Sequence, residues 1–158
     1  MKLYTLHKRQ QLPINRQTAW EFIANPKNLA VITPPDMGFR TRSGDDRAMF
    51  PGQIIHYTVT PLFHIPMQWI TEITHVDPGH YFTDEQRYGP YAFWHHKHFL
   101  RDIPGGVEME DIVHYGLPMG ILGRLAHRFL VQPRLEKIFK FRQDKLTALF
   151  GAWQKDPI

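Results

Sequence analysis

Apolar and polar positions alternate at the start of the chain, with Leu3, Thr5 and His7 on one side and Tyr4, Leu6 and Lys8 on the other. A period of two over residues 2–12 predicts a β-strand. The pattern then changes. Asn15 is a good helix cap, and Ala19, Trp20, Phe22 and Ile23 fall on one side of the turns that would follow it. Asn25-Pro26 closes that segment and can open a second short helix over Lys27 to Ile32, which Pro34-Pro35 ends. From residue 38 the period returns to two. Gln53–Thr60, Met67–Val76, Tyr81–Arg87, Tyr91–Arg101 and Val107–Tyr115 are rich in β-branched and aromatic residues. Asp77-Pro78-Gly79-His80 and Pro104-Gly105-Gly106 supply tight turns between them, so neighbouring strands should run antiparallel. Gly89-Pro90 should break the chain between two strands, because proline has no amide to give to a ladder.

The last third is helical in pattern. Leu135, Ile138, Phe139, Arg142, Leu146, Leu149, Phe150 and Trp153 step by three and four residues, which predicts about five turns of amphipathic helix over 135–153. Met119 to Val131 forms a helical lead-in, and Pro133 should cause a kink or a restart because it would clash with the carbonyl of Phe129. The order is thus strand, two small helices, a run of antiparallel strands and one long helix. A wide apolar stripe needs a surface to cover, and a twisted sheet of about seven strands is the one available. The expected class is α+β, with a curved antiparallel sheet wrapped around the C-terminal helix and a ligand-sized cavity between them.

Composition narrows the function classes. The 158 residues carry a formal charge of +4, but the lysines and arginines form no run or nucleic-acid motif, so no nucleic-acid partner is expected. The absence of cysteine removes disulfides, thiolate metal sites and cysteine nucleophiles, and is compatible with a reducing cytosol. Charge appears at Lys2, Lys8 and Arg9, too early for the apolar core of a signal peptide, and no apolar run could span a bilayer. A cytoplasmic protein is expected. A homodimer is compatible with the sequence.

Several short motifs then come together: Pro13-Ile14-Asn15 leading into Ala19-Trp20-Glu21-Phe22-Ile23-Ala24-Asn25-Pro26, Phe82-x-Asp84-x-Gln86, Gly89-Pro90-Tyr91, Trp94-x-His96-x-His98, Asp111-x-Val113-x-Tyr115, Pro118-x-Gly120, and Ile138-Phe139-x-Phe141-Arg142. Together they resemble the START-like, or SRPBCC, superfamily, and within it a bacterial ligand-binding, polyketide cyclase/dehydrase-like subgroup. A tyrosine would be more usual than Phe141. The resemblance runs over nearly the whole chain and implies one START-like/SRPBCC domain over 1–158 with the helix-grip fold. It says little about chemistry, since one such fold serves carriers, cyclases, hydroxylase domains and stress proteins.

The candidate site lies in the aromatic and histidine-rich middle. Strand periodicity gathers Trp94, His96 and His98 on one face, Phe82, Asp84 and Gln86 on one face of the strand before, and Met109, Asp111, Val113 and Tyr115 on one face of the strand after. These faces are assigned to the cavity, because the opposite choice buries Lys97 and Glu85 without evident partners. The ligand-binding candidates are Trp69, Phe82, Asp84, Gln86, Trp94, His96, His98, Asp111 and Tyr115. The partner they suggest is a small hydrophobic or amphipathic molecule with a polar group. The alternative is a cyclase or dehydratase in which His96, His98 and Asp111 are the catalytic candidates, an imidazole paired with a carboxylate moving a proton and Tyr115 meeting the developing oxyanion. The pair His96-x-His98 also resembles half a zinc site, but a third ligand would have to come from His56, Asp84, Asp111 or His114, and no metal-binding framework singles one out. Neither a metal nor any other cofactor is expected.

Overall fold

The structure, a computed structural model, describes residues 1–61 and 65–154. Its strands are β1 (Leu3–Leu12), β2 (Arg40–Ser43), β3 (Gln53–Val59), β4 (Met67–Asp77), β5 (Tyr81–Tyr88), β6 (Phe93–Ile103) and β7 (Gly106–Gly116). They form one antiparallel sheet in the order β1-β7-β6-β5-β4-β3-β2, so every strand after the first pairs with its neighbour in sequence and β1 closes onto β7. The turn chemistry explains the neighbours. Gly79 and Gly105 take φ of 82° and 71° in the turns between β4 and β5 and between β6 and β7, where an L side chain would be strained. Gly89-Pro90 falls between β5 and β6, as the missing amide requires.

Asn15 caps α1 (Arg16–Ile23), its side-chain oxygen accepting from the Thr18 amide at 2.8 Å. Two 3-10 turns follow, Pro26–Ala30 and Pro35–Met37. They replace the single helix expected over 27–32, because the prolines at 26, 34 and 35 cut the segment too short for α-helix.

The C-terminal helix is one unbroken rod: α2 (Gly120–Ala126), a π-helical turn (His127–Val131) and α3 (Gln132–Phe150). Pro133 produces neither a kink that ends the helix nor a restart. The wide turn just before it, closed by the Gln132 amide on the His127 carbonyl, relieves the clash with the Phe129 carbonyl. It also corrects the helix's phase. Gly123, His127, Val131, Leu135 and Phe139 are buried at a steady spacing of four. In plain α-helix each such step would drift by about 40°. The helix ends at Phe150, earlier than the stripe suggested. Gly151 leaves helical space at φ 93°, and Trp153 instead donates from Nε1 to the Pro104 carbonyl. Among the described residues no helix is long and apolar enough to cross a membrane.

α3 lies across the concave face of the sheet. One core cluster joins Leu12, Ala19, Ile23, Phe82, Leu100, Met109 and Leu146, and a second joins Leu6, Trp94, Val113, Val131, Leu135 and Phe139. Ile55, Tyr57, Val59 and Ile73 form a third on the far strands. The polar residues of the middle strands sit where these clusters meet.

Candidate functional site

Between the sheet, α3 and the short helices lies a cavity of about 300 Å³. Most of its wall is apolar. Phe22, Ile23, Leu29, Ile32 and Met37 close one side, and Leu135, Ile138 and Phe139 of α3 form the roof. One end is an aromatic corner: Trp69 and Trp94 meet edge-on at 5.2 Å between ring centres, and Tyr91 packs 5.5 Å from Trp69 and 4.8 Å from Trp94. Trp69 donates its indole N–H to Thr71 at 3.0 Å, so its ring faces the cavity as an apolar surface.

The carboxylate and imidazole groups of the wall are gathered in one place. Sheet register sets Asp84 directly opposite His96, and His98 directly opposite Asp111. The diagonals close a ring of four. Asp84 Oδ2 lies 2.9 Å from His98 Nε2 and 3.5 Å from His96 Nδ1. Asp111 Oδ1 lies 2.8 Å from His98 Nδ1 and 3.1 Å from His96 Nε2. Arg142 descends from α3 to place Nη2 3.5 Å from the same Asp111 oxygen. Aromatic rings hold the imidazoles in place. Phe82 stacks on His98 at 4.1 Å, while Trp94 and Phe139 meet His96 edge-on.

Charge in this buried cluster has a definite arrangement. Burial would raise the Asp111 carboxyl, but Arg142 and the two imidazoles hold it well below the ordinary carboxylate range. Burial likewise works against Asp84, and His96 and His98 outweigh it. The two histidines are pushed apart. Burial and the neighbouring His98 hold His96 below its ordinary value. Burial also opposes a charge on His98, yet hydrogen bonds to Asp111 and Asp84 raise it. With His98 and Arg142 positive and both carboxylates negative, the cluster is neutral overall, which is how a buried group of charges becomes tolerable.

Of the nine residues singled out in the sequence, Trp69, Phe82, Asp84, Trp94, His96 and His98 line the cavity. The other three do not reach its surface. Asp111 stands behind the histidines. Gln86 turns its amide to the backbone of Tyr91, donating to the carbonyl at 2.7 Å and accepting from the N–H at 3.2 Å, and so buckles the β5–β6 connection. Tyr115 is buried, but its hydroxyl is 2.9 Å from His127 Nε2, with Tyr4 stacked on that imidazole at 3.5 Å. His114 faces outward beside His95, and His56 falls on the face of β3 opposite buried Ile55 and Tyr57. Neither of the two reaches the cluster. Arg142 and Tyr91 belong to the site and were not among the nine. A charged residue inside an apolar helical stripe was the available signal for Arg142.

No family model matches the chain, and no curated protein matches it in sequence. Solved structures are similar to it. The Zhui aromatase/cyclase from Streptomyces sp. R1128 superposes with a TM-score of 0.72 at 11% identity, over 94% of this chain and 93% of that one. A protein from Chromobacterium violaceum gives 0.69 at 15% identity over 94% and 98%. The major latex-like protein 151 from Panax ginseng gives 0.68 at 11% identity over 94% and 97%. At these identities the likeness is one of fold.

Proposed function

From the helix-grip fold that this chain shares with START-like/SRPBCC proteins, we propose that it binds a small, mostly apolar molecule with one polar group in the cavity under α3. One observation carries the reading. The wall is mostly apolar and aromatic, and Asp84, His96, His98 and Arg142 are gathered on one side, while the other polar lining residues are engaged by the protein: Asn28 with the Phe22 carbonyl, Thr33 with the Leu29 carbonyl, Thr71 with the Trp69 indole and Arg134 with Asp36. An apolar body gains by leaving water for such a wall, and a single polar group is oriented by the cluster. The volume of about 300 Å³ suits a compact molecule, at the lower end of the ~300–1,000 Å³ range of small-molecule sites. The neighbour named an aromatase/cyclase supports a cavity of this kind being put to chemical use in this fold.

Two measurements test the reading. Mass spectrometry of small molecules released from the purified protein should find one compound at near-stoichiometric amounts. Calorimetry with 2-naphthoate as a probe should show one site per chain that Ile138→Trp abolishes by filling the roof of the cavity. Naphthoate binding that Ile138→Trp leaves unchanged places the ligand elsewhere and defeats the reading. Conversion of the released compound by the protein would make the site an active site.

A further inference from the structure

The ring of two aspartates and two histidines is not symmetrical in what it presents to the cavity. Asp84, His96 and His98 line the cavity, whereas Asp111 stands behind. On the cavity side, His96 Nδ1, His98 Nε2 and Asp84 Oδ2 converge, and each can donate a lone pair. We propose that these three atoms bind a divalent transition-metal ion of the zinc type, and that Asp111 orients both imidazoles for it.

The distances fit. Zinc bonds of about 2.0–2.1 Å in tetrahedral geometry set donor atoms roughly 3.3 Å apart. Asp84 Oδ2 lies 2.9 Å from one histidine nitrogen and 3.5 Å from the other, and the three donor atoms all lie within 4.8 Å of one another. The far nitrogens are also accounted for. His96 Nε2 and His98 Nδ1 both point at Asp111 Oδ1, at 3.1 and 2.8 Å. A carboxylate that accepts from the second N–H of a histidine fixes its tautomer and leaves the first nitrogen free to ligate. Here one carboxylate serves two histidines, and Arg142 holds it from the helix side.

The charges agree as well. A dication with Asp84, Asp111 and Arg142, both imidazoles neutral, leaves a net charge of +1. Three protein ligands leave one position open, toward the cavity, and the surplus charge favours hydroxide or the anionic group of a small molecule there. The same three atoms can instead share a proton on His98, which gives the neutral metal-free arrangement. Metal and proton are therefore alternative occupants of one position. The site is defined by protein atoms alone and stands whether or not the cavity takes an organic ligand.

The experiment uses the full chain and the metal alone. Metal-stripped protein should take up one Zn2+ per chain, and Co2+ in its place should give visible absorption typical of a low-coordinate site. His96→Gln and His98→Gln should each abolish retention through dialysis. Asp111→Asn should keep the stoichiometry and weaken affinity about 10–100-fold, as loss of an orienting partner does. His95→Gln and His114→Gln, on the outer face, should change nothing. If the ligand variants do not fold, imidazole 15N spectra of the wild type decide the matter, since Zn2+ should shift His96 and His98 and leave the other histidines in place. Wild-type protein that retains no zinc and gives no cobalt spectrum overturns the proposal. So does binding that survives both glutamine variants, or 15N shifts at other histidines.

Discussion

Glu110 and Asp111 are consecutive on β7, and both carboxylates are shielded from water, yet they face opposite sides of the sheet. Glu110 lies on the outer face under His7, Arg9 and Arg101, with Arg9 Nη2 at 2.8 Å and His7 Nε2 at 2.6 Å. Its cover consists of long side chains that are themselves about half exposed, 53% for Arg9 and 54% for Arg101. Asp111 is enclosed by the core, with two imidazoles and one guanidinium as its partners. The outer cluster is held chiefly by two guanidinium groups, which stay charged at any working pH, with His7 as a further partner. Imidazoles can gain or lose a proton or take a metal, so the inner cluster has several states. The outer carboxylate fastens β7 to β1 and β6, while the inner one holds groups capable of exchange.

The sharpest way to break this comparison is to remove the inner carboxylate. Asp111→Ala leaves buried Arg142 without its carboxylate and the His98 imidazolium with Asp84 alone, and should cost about 3–5 kcal/mol in urea unfolding. Glu110→Gln, one residue away, should cost only about 1 kcal/mol, because its partners are largely in water. Salt separates the two further. In 1 M salt, where screening acts over roughly 3 Å, the Glu110→Gln cost should shrink and the Asp111→Ala cost should hold. Equal costs, or equal salt sensitivity, would erase the distinction.

The smallest effect is in pH. Burial works against the Glu110 charge, but Arg9, His7 and Arg101 hold its carboxyl below the ordinary 4.5. A group whose folded value is depressed stabilises the fold fully above its unfolded value and loses that contribution as pH falls through the folded one. The stability gap between wild type and Glu110→Gln should therefore close as the pH drops below 4.5. A gap that widens in acid would reverse the assignment.

How much of this could be read from the sequence depended on the kind of periodicity involved. The faces of β5, β6 and β7 were legible, because a period of two fixes which side chains share a side. The pairing of Asp84 with His96 and of His98 with Asp111 was not, because a slip of two residues keeps every face and changes every partner. That register selects Asp84 as the third candidate donor, a choice the spacing alone left among four residues. Gln86 and Tyr115 show a second limit. Both lie on strands of the site, but side chains of that length reach a nearby loop or helix end before they reach the cavity. Arg142 shows a third. In the helical stripe it read as one step in an apolar series, and only the sheet opposite gives its charge a partner.

The π-helical turn at His127–Val131 has a consequence for what can be inserted into or deleted from this chain. Upstream of Val131 the rod is keyed to the sheet through His127 and Tyr115, and downstream it is keyed through Phe139 and Arg142 to the histidines. One residue more or fewer between those two anchors turns one half against the other by about 100°. Either His127 then swings away from Tyr115, or Arg142 leaves Asp111. The helix thus works as a ruler with two fixed marks. Side chains along its exposed face are open to substitution, but the count of residues between the marks is not free to vary.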